Sequence, residues 1–357
     1  MTHQILSYIW FFGLALVWAI YVVQDAFITG TSILSIVYKE DKKVYKTMNS
    51  ITGLHWDGIQ VWLILAVGGM FAAFPAVYAT TLSALYVPFF LLLYALIFRG
   101  VAIEVIYKSD SNKVQTFLKY SLSISSFLIT LVIGVYLMNV FIGLPIDQDG
   151  YNKGFFSFLS LFNGIALLGG LMFVFQALVQ GVNFIKLNKD KEYIPKMYKI
   201  AKAFAILTPF LMAFVFLGYT NVIDVFSRGL FGNATYSYLY LLPLFAIITA
   251  VISTLTFLIK KHTLSFIFNI LSMILFIFTG FISMIPYAIV STIDPKYGLL
   301  IIDGSAGEST LKIMFIALII FLPIVIAYQA FKYIKFWGKV WEWIQRLKTA
   351  FLINQHG

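Results

Sequence analysis

Apolar runs long enough to cross a bilayer recur along this chain, separated by short segments that hold most of its charge. A spanning helix needs about 20 mostly apolar residues. About nine such runs can be marked, at 5–38, 54–78, 81–106, 115–142, 155–186, 197–222, 236–259, 263–291 and 309–337. Hydrocarbon offers no partner to free backbone N–H and C=O groups, so each run is expected to be a helix that satisfies its own. The fold class follows: an all-α polytopic membrane protein, one integral membrane domain over 1–357. Its expected layout is two four-helix bundles, at about 5–142 and 155–291, with a peripheral last helix and amphipathic tail at about 309–351. Hydrophobic residues at 61% and charged residues at 11% exclude an ordinary soluble domain. The first run is too long for a signal-peptide core and has no basic stretch before it, so it is expected to stay as the first helix.

The charge pattern sets the orientation. Net charge is +10, yet the lysines cluster between apolar runs, which marks membrane topology rather than nucleic-acid binding. Basic loops follow the first run (Lys39, Lys42, Lys43, Lys46), the third (Lys108, Lys113, Lys119), the fifth (Lys186, Lys189, Lys191, Lys196, Lys199) and the seventh (Lys260, Lys261). The tail carries Lys332, Lys335, Lys339, Arg346 and Lys348. The alternate loops, 145–154, the stretch around Asp224 and Arg228, and 291–309, are poor in positive charge. This alternation predicts the N-terminus outside and the C-terminus in the cytoplasm. The tail KFWGKVWEWIQRLKTAF, with Trp337, Trp341 and Trp343, is expected along the cytoplasmic membrane surface.

Several chemistries are excluded. No cysteine is present, so disulfides, thiolate metal sites and thiol catalysis are out. The histidines are His3, His55, His262 and His356, all at termini or helix ends, so neither a haem nor a metal site is expected in this chain. No Gly-rich phosphate loop is visible.

Ionisable residues inside spans demand a reason. Asp25 lies in the first run, roughly 18 Å from its cytoplasmic end at 1.5 Å per residue. Asp57 opens the second run, and Arg99 and Glu104 lie near the cytoplasmic end of the third. These four form one expected polar cluster in the cytoplasmic half, with Arg99 offsetting the carboxylates, which is what proton uptake from the cytoplasm requires. Simpler roles exist for three of them: Asp57 as a helix N-terminal cap, Arg99 and Glu104 as a snorkelling interfacial pair. Neither a cap nor an interface accounts for Asp25. Trp56 suits an interfacial belt. Trp62, about 9 Å deeper, is expected to line a cavity or a contact. Gly68, Gly69, Ala72, Ala73 and Ala76 have the spacing of close helix packing.

The order HWDGIQVWL, FAAFPAVYA, LIFRGVAIE resembles subunit II of cytochrome bd-type quinol oxidases. QDAFITG, FQALVQG, IIDGSAGESTLKIM, MIPYAIVST, LPIVIAYQAF and YIKFWGKV extend the likeness over essentially the whole chain. The resemblance implies a multi-pass subunit of the bacterial or archaeal cytoplasmic membrane. Its partner would be a larger subunit I that carries haems b and d and oxidises quinol, and it leaves room for a small accessory subunit. The complex would reduce O₂ to water and build a proton gradient without pumping. Subunit II would stabilise subunit I, contribute to proton uptake and, in some members, hold a structural quinone among its lipid and quinol contacts. By the same resemblance Asp25 matches the first acid of a DGFDLG-like segment. Trp56 and Asp57 match a WDG pair on the proton path, Arg99 the arginine of the third helix, and Glu104 an acid after it. Trp62 matches a tryptophan near the oxygen route. Two departures stand out: Ile28 replaces the second acid of the first segment, and Ile59 follows WDG. The alternative, from another class, is a proton-coupled transporter, but no matched pair of Gly/Pro-interrupted segments is visible.

Overall fold

The computed structural model of the chain describes residues 2–148, 150–151, 161–188, 194–222 and 238–336. Nine helices among these are long and apolar enough to cross a membrane. The first is α1 (His3–Ser35), followed by a short amphipathic helix α2 (Lys42–Gly53). Then come α3 (Trp56–Ala73), α4 (Pro75–Ala84), α5 (Tyr86–Val105) and α6 (Asn112–Ile142). The rest are α7 (Gly164–Asn188), α8 (Pro195–Val222), α9 (Leu241–Leu258), α10 (His262–Met284) and α11 (Glu308–Phe336). Two short hairpins pair Ile146–Asp147 with Gly150–Tyr151, and Tyr287–Ile289 with Leu299–Leu300.

The run expected as one helix over 54–78 is broken. Phe74 leaves the helical region at φ −137° and ψ 67°, and Pro75 starts α4. The physical reason is Pro75 itself, which has no N–H and bars the residue before it from helical geometry. Likewise the run 81–106 divides at Leu85, between α4 and α5. The run 263–291 stops at Met284, ahead of Pro286, and its last residues form a strand instead of a helix. The start of the 155–186 run, the stretch around Asp224 and Arg228, and the tail with Trp337, Trp341 and Trp343 lie outside the described residues.

Contacts fall into two groups of four. In one, α1 packs on α3 and α6, and α5 on α6; in the other, α7, α8, α9 and α10 pack in sequence, with α10 returning to α7. The groups join where α7 lies against α1 and α6. That approach depends on glycine. A Cβ at Gly30 would stand 1.7 Å from the Ala177 carbonyl oxygen, and one at Gly181 would stand 2.3 Å from the Thr31 nitrogen. The backbones touch, as small residues permit in a bilayer. The last helix, α11, stays outside both groups and is largely exposed, contacting α1 and α3.

The second group is zipped by neutral polar side chains. Gln176, Gln180 and Asn183 on α7 face Ser265, Asn269 and Ser272 on α10. The Asn269 amide donates to Gln180 at 3.1 Å and the Asn183 amide to Ser265 at 2.9 Å. His262 at the head of α10 meets the Asn183 oxygen at 2.9 Å. Interhelical hydrogen bonds of this kind hold spans together where apolar contact gains nothing over lipid.

Candidate functional site

One charged pair lies deep in the first group. Arg99 on α5 reaches Asp25 on α1 at 2.9 Å, with both side chains almost wholly buried. Arg99 is the bulkiest of the fully buried side chains among the described residues. Desolvating two ions is costly unless each has the other and further hydrogen bonds. Here the hydrogen bonding is incomplete: the Nε, Nη1 and Nη2 of Arg99 make no hydrogen bond with good geometry.

Arg99 is one of the residues that line a cavity of about 480 Å³. It lies between α3, α4, α5 and α6, because α3 and α5 make little direct contact with each other. Its wall is overwhelmingly apolar, and the exposed Ile64 and Leu93 open its rim to the outer surface of the bundle. Gly68 contributes open space, with nothing near its missing Cβ. The sequence reading assigned Gly68 to helix packing; in the fold it widens the cavity. Polar groups converge in one part of the wall: Trp56, Gln60 and Arg99. The Trp56 indole lies on Gly100, where an added Cβ would sit 3.3 Å from the ring. Gln60, one turn further along α3, approaches the Asp25 carboxylate, while its own amide atoms complete no hydrogen bond.

The expected cluster of four is therefore a pair with two outliers. Asp57 is exposed in the first turn of α3, and its carboxylate accepts the Gly58 N–H at 2.7 Å. The capping position belongs to His55, whose side chain makes no capping bond. Glu104 is exposed on the outer face of α5 and pairs with Lys108 at 3.5 Å, so it does not join Asp25 and Arg99. Trp56 is half-buried in the cavity wall rather than spread in an outer belt. Trp62 is 3% exposed and packs in the core, away from the cavity wall.

Other contacts fix the site. Asn49 on α2 donates to the Ile103 carbonyl at 3.2 Å and anchors α2 to α5. Gln329 on α11 donates to the Gly58 carbonyl at 3.1 Å and pins the start of α3. The sequence reading passed over Gln60, Tyr21 and Tyr136. Gln60 carried a readable signal, a lone amide in an apolar run one turn beyond Trp56. The two tyrosines carried none in a chain this rich in them.

Haem ligation fits these residues poorly. His3 bonds the Ala306 carbonyl and Ser305, and His262 bonds Asn183. His55 packs its ring edge on Phe184. Each stands at a helix start, and no group of three or more His, Cys, Asp or Glu suited to a metal occurs among the described residues.

Comparison with known proteins gives a consistent result. The family model for cytochrome bd terminal oxidase subunit II matches residues 6–336. Cytochrome bd-I ubiquinol oxidase subunit 2 of Escherichia coli (strain K12) is 27% identical over 366 residues, covering 95% of this chain and 96% of its own. Cytochrome bd ubiquinol oxidase subunit 2 of Bacillus subtilis (strain 168) is 29% identical over 335 residues, covering 93% and 96%. A chain of the bd oxidase from Geobacillus thermodenitrificans shares the fold at a TM-score of 0.73 and 15% identity, over 93% of this chain and 98% of that one.

Proposed function

The chain belongs to the cytochrome bd terminal oxidase subunit II family, and from that premise we propose how it serves its complex. It is a multi-pass membrane subunit of a quinol oxidase, an oxidoreductase assembly that includes a partner subunit. In our reading the partner carries haems of b and d type, oxidises quinol and reduces O₂ to water. The complex then sits in the cytoplasmic membrane with the N-terminus of this chain outside, as the lysine distribution favours.

The contribution of this chain is to hold the partner and to deliver protons. Asp57, exposed at the start of α3, takes up protons from the cytoplasm. Gln60 lies one turn further in and Asp25 beyond it, so the route follows the inner face of α3 to α1. Arg99 supplies the countercharge that lets a carboxylate persist in hydrocarbon. A proton reaching Asp25 neutralises the carboxylate and leaves the guanidinium as the local charge. Glu104, on the outer face of α5, serves as a second surface acceptor. Trp56 packs the mouth of the route, and Trp62 stiffens the core beside it.

The cavity suits a quinone. Its volume and apolar wall take a ring and part of an isoprenoid tail. Arg99 and Gln60 in its wall carry the N–H groups that a ring carbonyl would need. Such a molecule would be structural, since no redox partner lies in this chain.

The observation that carries this reading is the buried Asp25–Arg99 pair in the wall of the large cavity. Its test is purification of the intact complex from native membranes, with a reduced-minus-oxidised visible spectrum for the wild type and for Asp57→Asn. Haem bands with a larger co-purifying subunit, and slowed turnover at unchanged haem content in the variant, are expected. A colourless preparation without a partner refutes the oxidase role. Loss of haem in Asp57→Asn replaces the proton role with an assembly role.

A further inference from the structure

Behind Asp25, on the side of α7 and α10, is a second and much smaller cavity of about 20 Å³. Three polar side chains line it: Tyr21, Asp25 and Thr130. Tyr21 and Asp25 are one helical turn apart on α1 and so share a face. The Tyr21 side chain is fully buried, and its hydroxyl lies near the Arg99 guanidinium without a hydrogen bond of good geometry. A buried hydroxyl without a partner is a rare state that calls for a ligand. Thr130 donates to the Ser126 carbonyl, which leaves its oxygen free to accept.

We propose that this cavity binds one water molecule, held by Tyr21, Asp25 and Thr130, and that Tyr21 is a positioning residue for the Asp25 carboxylate. The volume exceeds the roughly 10–15 Å³ that one water needs, and three polar partners match the usual number for a buried water. Donors and acceptors balance. The phenol O–H donates to the water, and the water donates one hydrogen to the carboxylate and the other to the threonine oxygen. Tyr21 thereby gains the partner it lacks, and Asp25 gains a donor opposite Arg99.

Ile133, Phe173 and Met273 complete the apolar lining of the small cavity toward the second helix group. Asn269 and Ser272 on α10 are engaged with α7 and α9: Asn269 donates to Gln180, and Ser272 accepts from Gln176 and donates to the Ala246 carbonyl. A volume of about 20 Å³ takes a single water molecule. On the proton-delivery reading, which this consequence rests on, the water gives the Asp25 carboxylate a hydrogen-bond donor on the side away from Gln60 and the large cavity.

The test is a density map of the intact complex at a resolution that shows other buried waters, with infrared spectroscopy of the same preparation. Density within hydrogen-bond distance of all three oxygens is expected in the wild type, weakened in Tyr21→Phe. The carboxyl band assigned to Asp25, by its loss in Asp25→Asn, is expected to shift in Tyr21→Phe and in Thr130→Val. An empty cavity in the wild type, or a Tyr21 hydroxyl turned onto Arg99, overturns the water site. A water present with an unmoved Asp25 band overturns the positioning role. Neither readout uses turnover, so failure of the proton route and failure of the water site remain separate results.

Discussion

Replacing Asp25 and Arg99 singly and together separates what the pair does for stability from what it does for turnover. At 2.9 Å and an effective dielectric of about 20, the direct attraction is on the order of 6 kcal/mol. Desolvation of both ions cancels most of that in the intact pair, but not when one partner is removed. An orphaned buried charge costs about 3–5 kcal/mol. Asp25→Leu and Arg99→Met should therefore each lower the thermal midpoint of this 357-residue subunit within the complex by on the order of 4–7 °C. The double variant Asp25→Leu/Arg99→Met has no buried charge and should recover most of the loss, since apolar replacement of a buried pair is often neutral. The assay is thermal unfolding of the purified complex, followed by the haem spectrum, with turnover measured below the transition. Turnover should stay low in the double variant despite recovered stability, because no carboxylate remains at the station. If the two losses simply add, with a coupling below about 0.5 kcal/mol, the two residues act independently and the reasoning fails.

Three further outcomes follow from the geometry. Gly30→Ala places a Cβ against the Ala177 carbonyl and should force α1 and α7 apart, at a cost of at least about 1–3 kcal/mol; the yield of haem-bearing complex reports it, and a wild-type yield contradicts the close crossing. Asn183→Leu strips a hydrogen-bond partner from both Ser265 and His262 and should destabilise by about 1–3 kcal/mol, measured as a lower thermal midpoint with turnover per haem unchanged. In the loop of the second hairpin, the Lys296 N–H and ammonium hold Asp294 below its ordinary pKa. A lowered folded-state pKa means that the contact contributes fully above the ordinary carboxylate range, and its contribution is lost as pH falls through the lowered value. Hydrogen exchange of 287–300 should speed up in that acid window in the wild type and be flat there in Asp294→Asn.

How far the sequence speaks depends on whether a signal is local. Asp25 and Arg99 stand out singly because an ion in an apolar run is conspicuous in one dimension. Their pairing is not visible, since it joins two helices far apart in the chain. Glu104 is instructive: five residues beyond Arg99, at about 100° per residue, it faces some 140° away around α5. Helical phase alone argued against its joining the cluster, and the structure puts it on the outer face with Lys108. Pro75 was equally plain, and it divides the expected helix at Phe74. The small-residue stripe had no such phase marker. Ala73 packs fully buried while Gly68 opens the cavity, and only the placement of α5 decides between those outcomes.

The two helix groups solve the same problem differently, and the contrast bears on function. The second group crosses the membrane with amides and hydroxyls in its seam and, among the described residues, no buried charge. It shows that this chain can fix the register of four long helices by neutral hydrogen bonds alone. The first group instead buries an aspartate and an arginine whose guanidinium is incompletely hydrogen-bonded, beside a cavity that weakens its packing. A chain that needed only to hold a partner would gain as much stability from leucine and methionine there. An ion pair set where it stabilises little, next to open space and to Gln60, itself one turn from the exposed Asp57 carboxylate, suits the changes of charge that the proposed function requires. On the function proposed above, the structural role falls mainly on the seam and on the glycine crossing, and proton chemistry on the pair.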